Sequence, residues 1–410
     1  MTTTDHRLTE LDWLRIAAFA LLMVYHLGMF YVPWDWHVKS PQTVPALEAW
    51  MSLASPWRMA LVFAVSGAAT GLMLARSSAA SGLGERSKRL LLPLLLGMAV
   101  IVPPQPYLEV VEKVGYTGSY LDFLARYFAA DGSFFRGSDC LVLPTWNHLW
   151  FLPYLWVYTV LLLAVLRWRG GAAAAHPRWA VVTQGARLLW GPCLLFAVVR
   201  LALLRDFPST HNLVWDWFNH GLYGSMFLMG AVLFGHADDR HGAWAAAMRL
   251  RWWALGGALL LLLGMPRLLD QLGGWNQLPG WGQQLWLLLG GARHWLPVLA
   301  ALGFARRWLR GRDGRGSRSR RLLTEAVFPF YIVHQTLIVV AAHTLAPRGW
   351  PQGLEALAVL LITAAGCTAT YLVARRVSWL RPWFGLQAQR GLGSQIASGS
   401  MSTAQRNKPL

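Results

Sequence analysis

Charge is what this chain has least of. Lys, Arg, Asp and Glu make up only 14% of its 410 residues, against about 25% in a typical soluble domain. That excludes a disordered protein and argues against an ordinary soluble enzyme. Cysteine is scarce as well: Cys140, Cys193 and Cys367 are odd in number and widely spaced, so they imply neither a disulfide framework nor a redox pair. His-Glu-x-x-His, Cys-x-x-Cys, Gly-x4-Gly-Lys and Rossmann patterns are missing, which leaves metal and nucleotide-hydrolysis readings without support. No internal repeat stands out.

What the chain does have is apolar residues, 55% of the total, and 24 tryptophans. A membrane span needs about 20 mostly apolar residues. The pattern predicts an all-α, polytopic transmembrane bundle of ten spans, near 13–33, 56–75, 90–105, 147–166, 187–205, 218–236, 252–270, 283–304, 323–346 and 353–374. The first run has no basic leader and no cleavage site and carries Arg15 and His26, so it reads as a retained signal anchor. Tryptophans gather near span ends, as interfacial belts require. Two domains are expected: a transmembrane domain over 1–376, and a cytoplasmic tail over 377–410, largely disordered and rich in Gly, Ser and Gln from about 386.

The formal net charge is +18. In a soluble protein this would suggest nucleic acid; here the positive-inside rule accounts for it. Loops on one expected side hold 26 Lys and Arg, and loops on the other hold 5. Both termini are therefore expected in the cytoplasm, and an even span count agrees. The basic loop 305–321 reads first as a topology determinant lying near anionic lipid.

Ionisable residues inside spans are functional candidates by default. Arg15 and His26 are eleven positions apart, three turns plus roughly 20°, so they share one helix face about 16 Å apart along the axis. That suits a site reached from both sides of the bilayer, since guanidinium holds phosphate and imidazole takes a hydroxyl proton near neutral pH. The alternative is a snorkelling arginine and an interhelical hydrogen-bonding histidine. Arg86 and Arg89 read either as topology markers or as a phosphate clamp. Asn147 and His148 open the fourth span as a polar cap or as part of an external acceptor site. Tyr331 and His334 share a face of the ninth span. Arg58, Arg267 and Arg293, within spans or at their ends, are further candidate cations, and Gly67 and Gly71 form a small-xxx-small pair for close helix packing. His211 and Asp216 have the His-x4-Asp spacing of soluble-face glycerolipid acyltransferases. They are set aside, because their loop is short, expected to be external and followed by no acceptor motif.

In order, LDWLRIAAFALLMVYH, WHVKS, WRMALVFAVSG, ERSKRLLLP, NHLWFL and FPFYIVHQ resemble the acyltransferase-3 family of integral membrane acyltransferases. WHVKS, WRMALVFAVSG and NHLWFL are similar to its glucans biosynthesis protein C branch, which is associated with succinylation of periplasmic glucans. The resemblance implies a multi-pass enzyme of the bacterial inner membrane. It implies cytoplasmic acyl-CoA (succinyl-CoA or acetyl-CoA) as co-substrate, no bound cofactor or metal, and a periplasmic glycan hydroxyl as acceptor. Arg58, Arg267 and Arg293 are then candidate cations for the free carboxylate of a succinyl group. By match, Arg15 and His26 take the essential pair, Arg86 and Arg89 the Arg-x-x-Arg motif, and His334 the ninth-span Tyr-x-x-His. Gln335-Thr336 follows this His where His-Pro or Gln-Pro often stands. Membrane lipid is an expected partner and nucleic acid is not; protein partners are not indicated. The rival from another class is a secondary transporter, whose usual internal symmetry is missing here.

Overall fold

A computed structural model describes residues 8–74, 79–136, 139–168, 181–236, 239, 242–310 and 317–387. The architecture is helical. The one strand pairing among the described residues is a two-residue antiparallel ladder, Phe135–Arg136 with Asp139–Cys140. Among the described residues, seven helices are long and apolar enough to cross a membrane. They are α1 (Thr9–Tyr31), the run joining α2 (Pro45–Ala54) to α3 (Arg58–Leu74), α7 (Phe151–Trp168, entered through the turn Asn147–Trp150), α10 (Ala243–Gln271), α11 (Gly280–Leu309), α12 (Arg318–Leu345) and α13 (Gln352–Arg376). An eighth candidate is broken. α4 (Ala79–Leu96) runs into the π-turn Gly97–Ile101, and α5 (Pro104–Val114) leaves it at 41°. Pro103 and Pro104 supply no backbone N–H, so the ladder of hydrogen bonds stops there.

Ten expected spans thus meet seven helices, or eight with the bent pair. Expected spans 187–205 and 218–236 are both helical, but neither matches those seven in length and apolarity. α8 (Arg187–Leu203) has 17 residues. The helical run 217–234, α9, carries Asn219 and His220 and contains two π-turns. A short amphipathic helix, α6 (Tyr120–Phe128), closes the connection between the broken span and α7.

α1 lies against α12, α3 and α11. Its first turn is fixed by two carboxylates that sequence reading passed over. Glu10 and Asp12 are buried; Glu10 pairs with Arg306, and Asp12 with Arg320 at 2.6 Å. These arginines belong to the basic loop expected to lie near lipid headgroups. Its two ends dock α1 onto α11 and α12, because a buried carboxylate needs a charged partner; residues 311–316 lie outside the described residues. At the other end of α1, Lys39 folds back and its ammonium donates to the carbonyls of Met29 (2.6 Å) and Val32, where the helix dipole favours a cation.

The small-residue pair behaves as expected. A Cβ on Gly67 would lie 2.0 Å from the Phe227 carbonyl oxygen, and one on Gly71 would lie 2.5 Å from that of Ala231. α3 and α9 therefore touch backbone to backbone. After α13 the chain turns through the helical turn Pro382–Phe384 and packs on α4. The remainder of the expected tail, 388–410, lies outside the described residues.

Candidate functional site

α1 lines two cavities, one towards each end of the bundle. Arg15 and Phe19 line the first, of about 170 Å³, together with Arg86, Arg89, Phe151 and Phe328. Leu22 and His26 line the second, of about 200 Å³, together with Arg58, His148, His211 and Tyr223. The three-turn spacing thus delivers one residue of the pair to each cavity, and the two share no lining residue.

Around His26 the hydrogen bonds fix where the protons sit. His334 Nδ1 lies 2.8 Å from the Tyr331 carbonyl oxygen and 3.2 Å from that of Phe330. A carbonyl only accepts, so His334 Nδ1 carries the hydrogen and, in the neutral ring, Nε2 carries a lone pair. His26 Nδ1 lies 2.8 Å from that Nε2, so His26 donates there and its own Nε2 is left as the base. The two rings stack with centroids 5.0 Å apart and planes 5° apart.

His148 stands edge-on to His334, with centroids 5.2 Å apart, and both its nitrogens are engaged. Nε2 donates to the Ile332 carbonyl at 3.0 Å, and Nδ1 accepts from Gln105 at 3.3 Å. It therefore supports the cavity and has no free nitrogen for proton transfer. Tyr331 donates its hydroxyl to the His148 carbonyl at 2.7 Å.

Gln105, placed by the break in the third span, is the hub of the support. Its amide nitrogen also donates to Thr336 Oγ1 at 2.7 Å, while its oxygen accepts from Asn147 at 3.0 Å and from Gln335 at 2.9 Å. Gln335 donates in turn to His37 Nε2 at 3.1 Å, so His37 Nδ1 donates to the buried Glu109 at 2.6 Å. Both ring nitrogens of His37 and both side-chain amide groups of Gln105 and Asn147 are engaged along this path, which rigidifies the frame. Gln335, expected only to mark a departure from the family pattern, is one of its struts.

Arg58 enters the same cavity from the start of α3. Its guanidinium lies 3.5 Å above the Tyr25 ring, Nη1 donates to the Ser55 carbonyl at 3.0 Å, and Nε is buried without a partner. Among the described residues no carboxylate pairs with it. His211 also lines this cavity, over the Trp150 ring at 4.1 Å, although its spacing motif was set aside. That dismissal holds for Asp216: its carboxylate accepts from the amides of Thr210 and His211, from Asn219 and from Tyr154, and so ties the loop together. Burial pushes the His211 imidazole down to about 4, so it is neutral at physiological pH.

Arg293 and Arg267 line neither cavity. Arg293 follows Ala292 on α11 beside the pair formed by Arg200 and His294, where Nη1 lies 3.1 Å from Nε2. Arg267 donates to its own helix at Leu263. Neither Arg58 nor Arg293 could be ranked from sequence, because both are arginines in apolar runs; only packing separates them. Gln105 and Glu109 were missed altogether, and His37 was noticed only as part of the WHVKS segment. The available signal was the Pro-Pro-Gln break in an apolar run.

The first cavity is basic. Arg86 Nε is buried without a partner, and Arg86 and Arg89 also line a larger adjoining cavity of about 440 Å³. Arginines around a pocket that opens towards one end suit phosphate. Between the two cavities lies an aromatic septum. Phe19 meets Tyr331 edge-on at 5.2 Å and Phe151 at 6.4 Å, and Phe63 meets Phe151 at 4.7 Å.

Comparison with known proteins gives the chemistry. The chain is 24% identical over 238 residues to proteins named Glucans biosynthesis protein C from Salmonella paratyphi A (strain ATCC 9150 / SARB42) and Salmonella agona (strain SL483), covering 56% of this chain. It spans 58% of the length of these curated relatives. No solved structure matches. A family model described as an acyltransferase domain matches residues 8–375, which takes in both cavities and the septum. The chain therefore belongs to the acyltransferase-3 family and is a multi-pass membrane enzyme that transfers acyl groups.

Proposed function

We propose that the protein moves an acyl group, succinyl or acetyl, from cytoplasmic acyl-CoA to a hydroxyl of an extracytoplasmic glycan, across the bacterial inner membrane. The observation that carries this reading is that one helix supplies Arg15 to a basic cavity at one end and His26 to a polar cavity at the other. A ten-span chain counts α8, α9 and the bent pair along with the seven long helices, and puts both termini on the Arg-rich side. The positive-inside rule makes that side cytoplasmic. A glucan acceptor is supported by the name the relatives carry.

In this reading Arg86, Arg89 and Arg15 hold the phosphates of CoA, and the thioester reaches through the septum. His26 Nε2 takes the proton of the acceptor hydroxyl, and that oxygen attacks the thioester carbonyl. The Arg58 guanidinium faces the negative charge that develops on the carbonyl oxygen, the interaction that usually contributes most to acyl transfer. Collapse breaks the carbon–sulfur bond. The thiolate leaves and takes the proton from His26, so the imidazole returns neutral. An acyl group carried transiently on His26 would use the same Nε2.

The test is CoA release from labelled acyl-CoA by membrane vesicles, together with mass spectrometry of envelope glycans from a deletion strain. The expected result is CoA release and a glycan mass increment missing from the deletion strain. His26→Ala abolishes both at unchanged membrane abundance. A secondary transporter would leave the thioester intact, and full acylation by His26→Ala would remove His26 from the chemistry.

A further inference from the structure

The 440 Å³ cavity at the basic end has two walls, and only one of them belongs to the matched family domain. Glu85, Arg86, Lys88 and Arg89 of α4, with Met73 of α3, form the first; Pro382, Gly385, Leu386 and Gln387 form the second. The family model matches residues 8–375, so the second wall lies outside the matched region.

It is a built wall. Arg381 is buried, with Nε donating to the Gln387 carbonyl at 2.7 Å, Nη1 to the Arg375 carbonyl at 2.8 Å and Nη2 to Glu325 at 3.4 Å. One guanidinium thus closes the loop on itself and on α12 and α13. Phe384 and Leu386 are buried in the main apolar core. Gly385 has φ +66°, and a Cβ there would fall 2.3 Å from the Phe328 ring. Phe328 also lines the cavity that holds Arg15. A side chain at 385 would strain the backbone and press that ring towards the arginines.

The lining combines three cations and one carboxylate, Glu85, with the apolar surfaces of Met73, Pro382 and Leu386, in a volume typical of a cofactor-sized ligand. Cations suit phosphates and the apolar faces suit a flat heterocycle. We propose that residues 381–387 form the second wall of a subsite for the nucleotide end of the acyl donor, the phosphorylated adenosine of CoA. This rests on the proposed donor and goes beyond it, by naming which part of the donor sits there and which residues outside the family domain hold it.

Gln387 is exposed and lines the cavity, so its side chain can change charge without disturbing the fold; the Arg381 bond is to its backbone. Gln387→Glu and Gln387→Lys are measured with acyl-CoA and with acyl-pantetheine, which lacks the nucleotide. The expected result is a KM for acyl-CoA raised about fivefold by Glu and lowered by Lys, the scale of one charge pair in a wet site, with the acyl-pantetheine KM unchanged by either. Arg381→Ala raises the acyl-CoA KM more strongly, with its membrane abundance measured alongside. An unchanged acyl-CoA KM in both Gln387 variants, or equal shifts for the two donors, overturns the subsite while leaving the acyl-CoA reading intact. Wild-type membranes that release no CoA from acyl-CoA overturn both.

Discussion

Replacing His334 by alanine removes the acceptor of the His26 Nδ1 hydrogen, a bond of 2.8 Å between stacked rings. Two effects follow. A buried donor is left without a partner, which costs about 1–3 kcal/mol. The imidazole also loses the contact that selects its tautomer, so Nε2 no longer presents a lone pair to the cavity in every molecule. About 1.4 kcal/mol corresponds to tenfold in rate, so turnover falls roughly 10- to 100-fold. His26→Ala, which deletes the base itself, falls by the full general-base contribution of about 10²–10⁴. His334→Gln restores a side-chain oxygen that accepts from Nδ1 and recovers about tenfold of the loss. The loss lies in kcat and leaves the acyl-CoA KM unchanged, because His334 lines neither basic cavity. The assay is thiol release from acyl-CoA by membranes carrying equal amounts of each variant. Wild-type turnover in His334→Ala beside an inactive His26→Ala would refute the tautomer argument, as would a Gln variant no better than Ala.

The remaining predictions concern binding, packing and pH. Arg86→Ala raises the KM for acyl-CoA about tenfold or more and changes kcat little, since a charge-assisted phosphate contact is worth about 1.5–3 kcal/mol; an unchanged KM in a donor titration rejects the clamp. Gly67→Ala drives a methyl group into the Phe227 carbonyl. Two backbones cannot part as side chains do, so the loss reaches about 3 kcal/mol, read as a lowered melting temperature in detergent; an unshifted melting curve contradicts the backbone contact. Burial lowers the Lys39 ammonium to about 8. Folding thus favours its neutral form, and its contribution to stability rises as pH climbs from about 8 towards the ordinary lysine value. Amine-reactive labelling of Lys39, followed by mass spectrometry, has its midpoint near pH 8; a midpoint near 10.4, as for an unperturbed lysine, is the contrary result.

How much of this was legible from the sequence depends on how far apart the partners lie in the chain. The face shared by Arg15 and His26 is a matter of eleven residues on one helix, and helical geometry gives it directly. The same holds for Gly67 and Gly71, and for Tyr331 and His334. The frame around His334 is another matter. Gln105, His148, Gln335 and His37 come from four separate segments, and no local periodicity reports that Gln105 reaches Gln335, 230 positions away. Glu10 and Asp12 pair with Arg306 and Arg320, 296 and 308 positions away, a separation no local pattern reports. The count of ten is not matched by long apolar helices alone, because some of the described helices are short or bent. α8 and α9 are helical but differ in length and polarity from the seven long helices, because π-turns and polar residues belong to sites and contacts inside the bundle.

The separation of the two cavities is itself chemically informative. A permanently open channel from Arg15 to His26 would leak ions, whereas the aromatic septum leaves no lining residue in common. Its members are not equally fixed. Tyr331 is tied by its hydroxyl to the His148 carbonyl, so moving it would disturb the frame that orients His334. Phe19 and Phe151 are held by packing alone and line the basic cavity directly. Phe19 is also one turn from Arg15 on the same face of α1. In the proposed reaction, a donor whose phosphates engage the arginines would bring its arm against Phe19 and Phe151, while Tyr331, tied by its hydrogen bond, would keep the frame of the base in place.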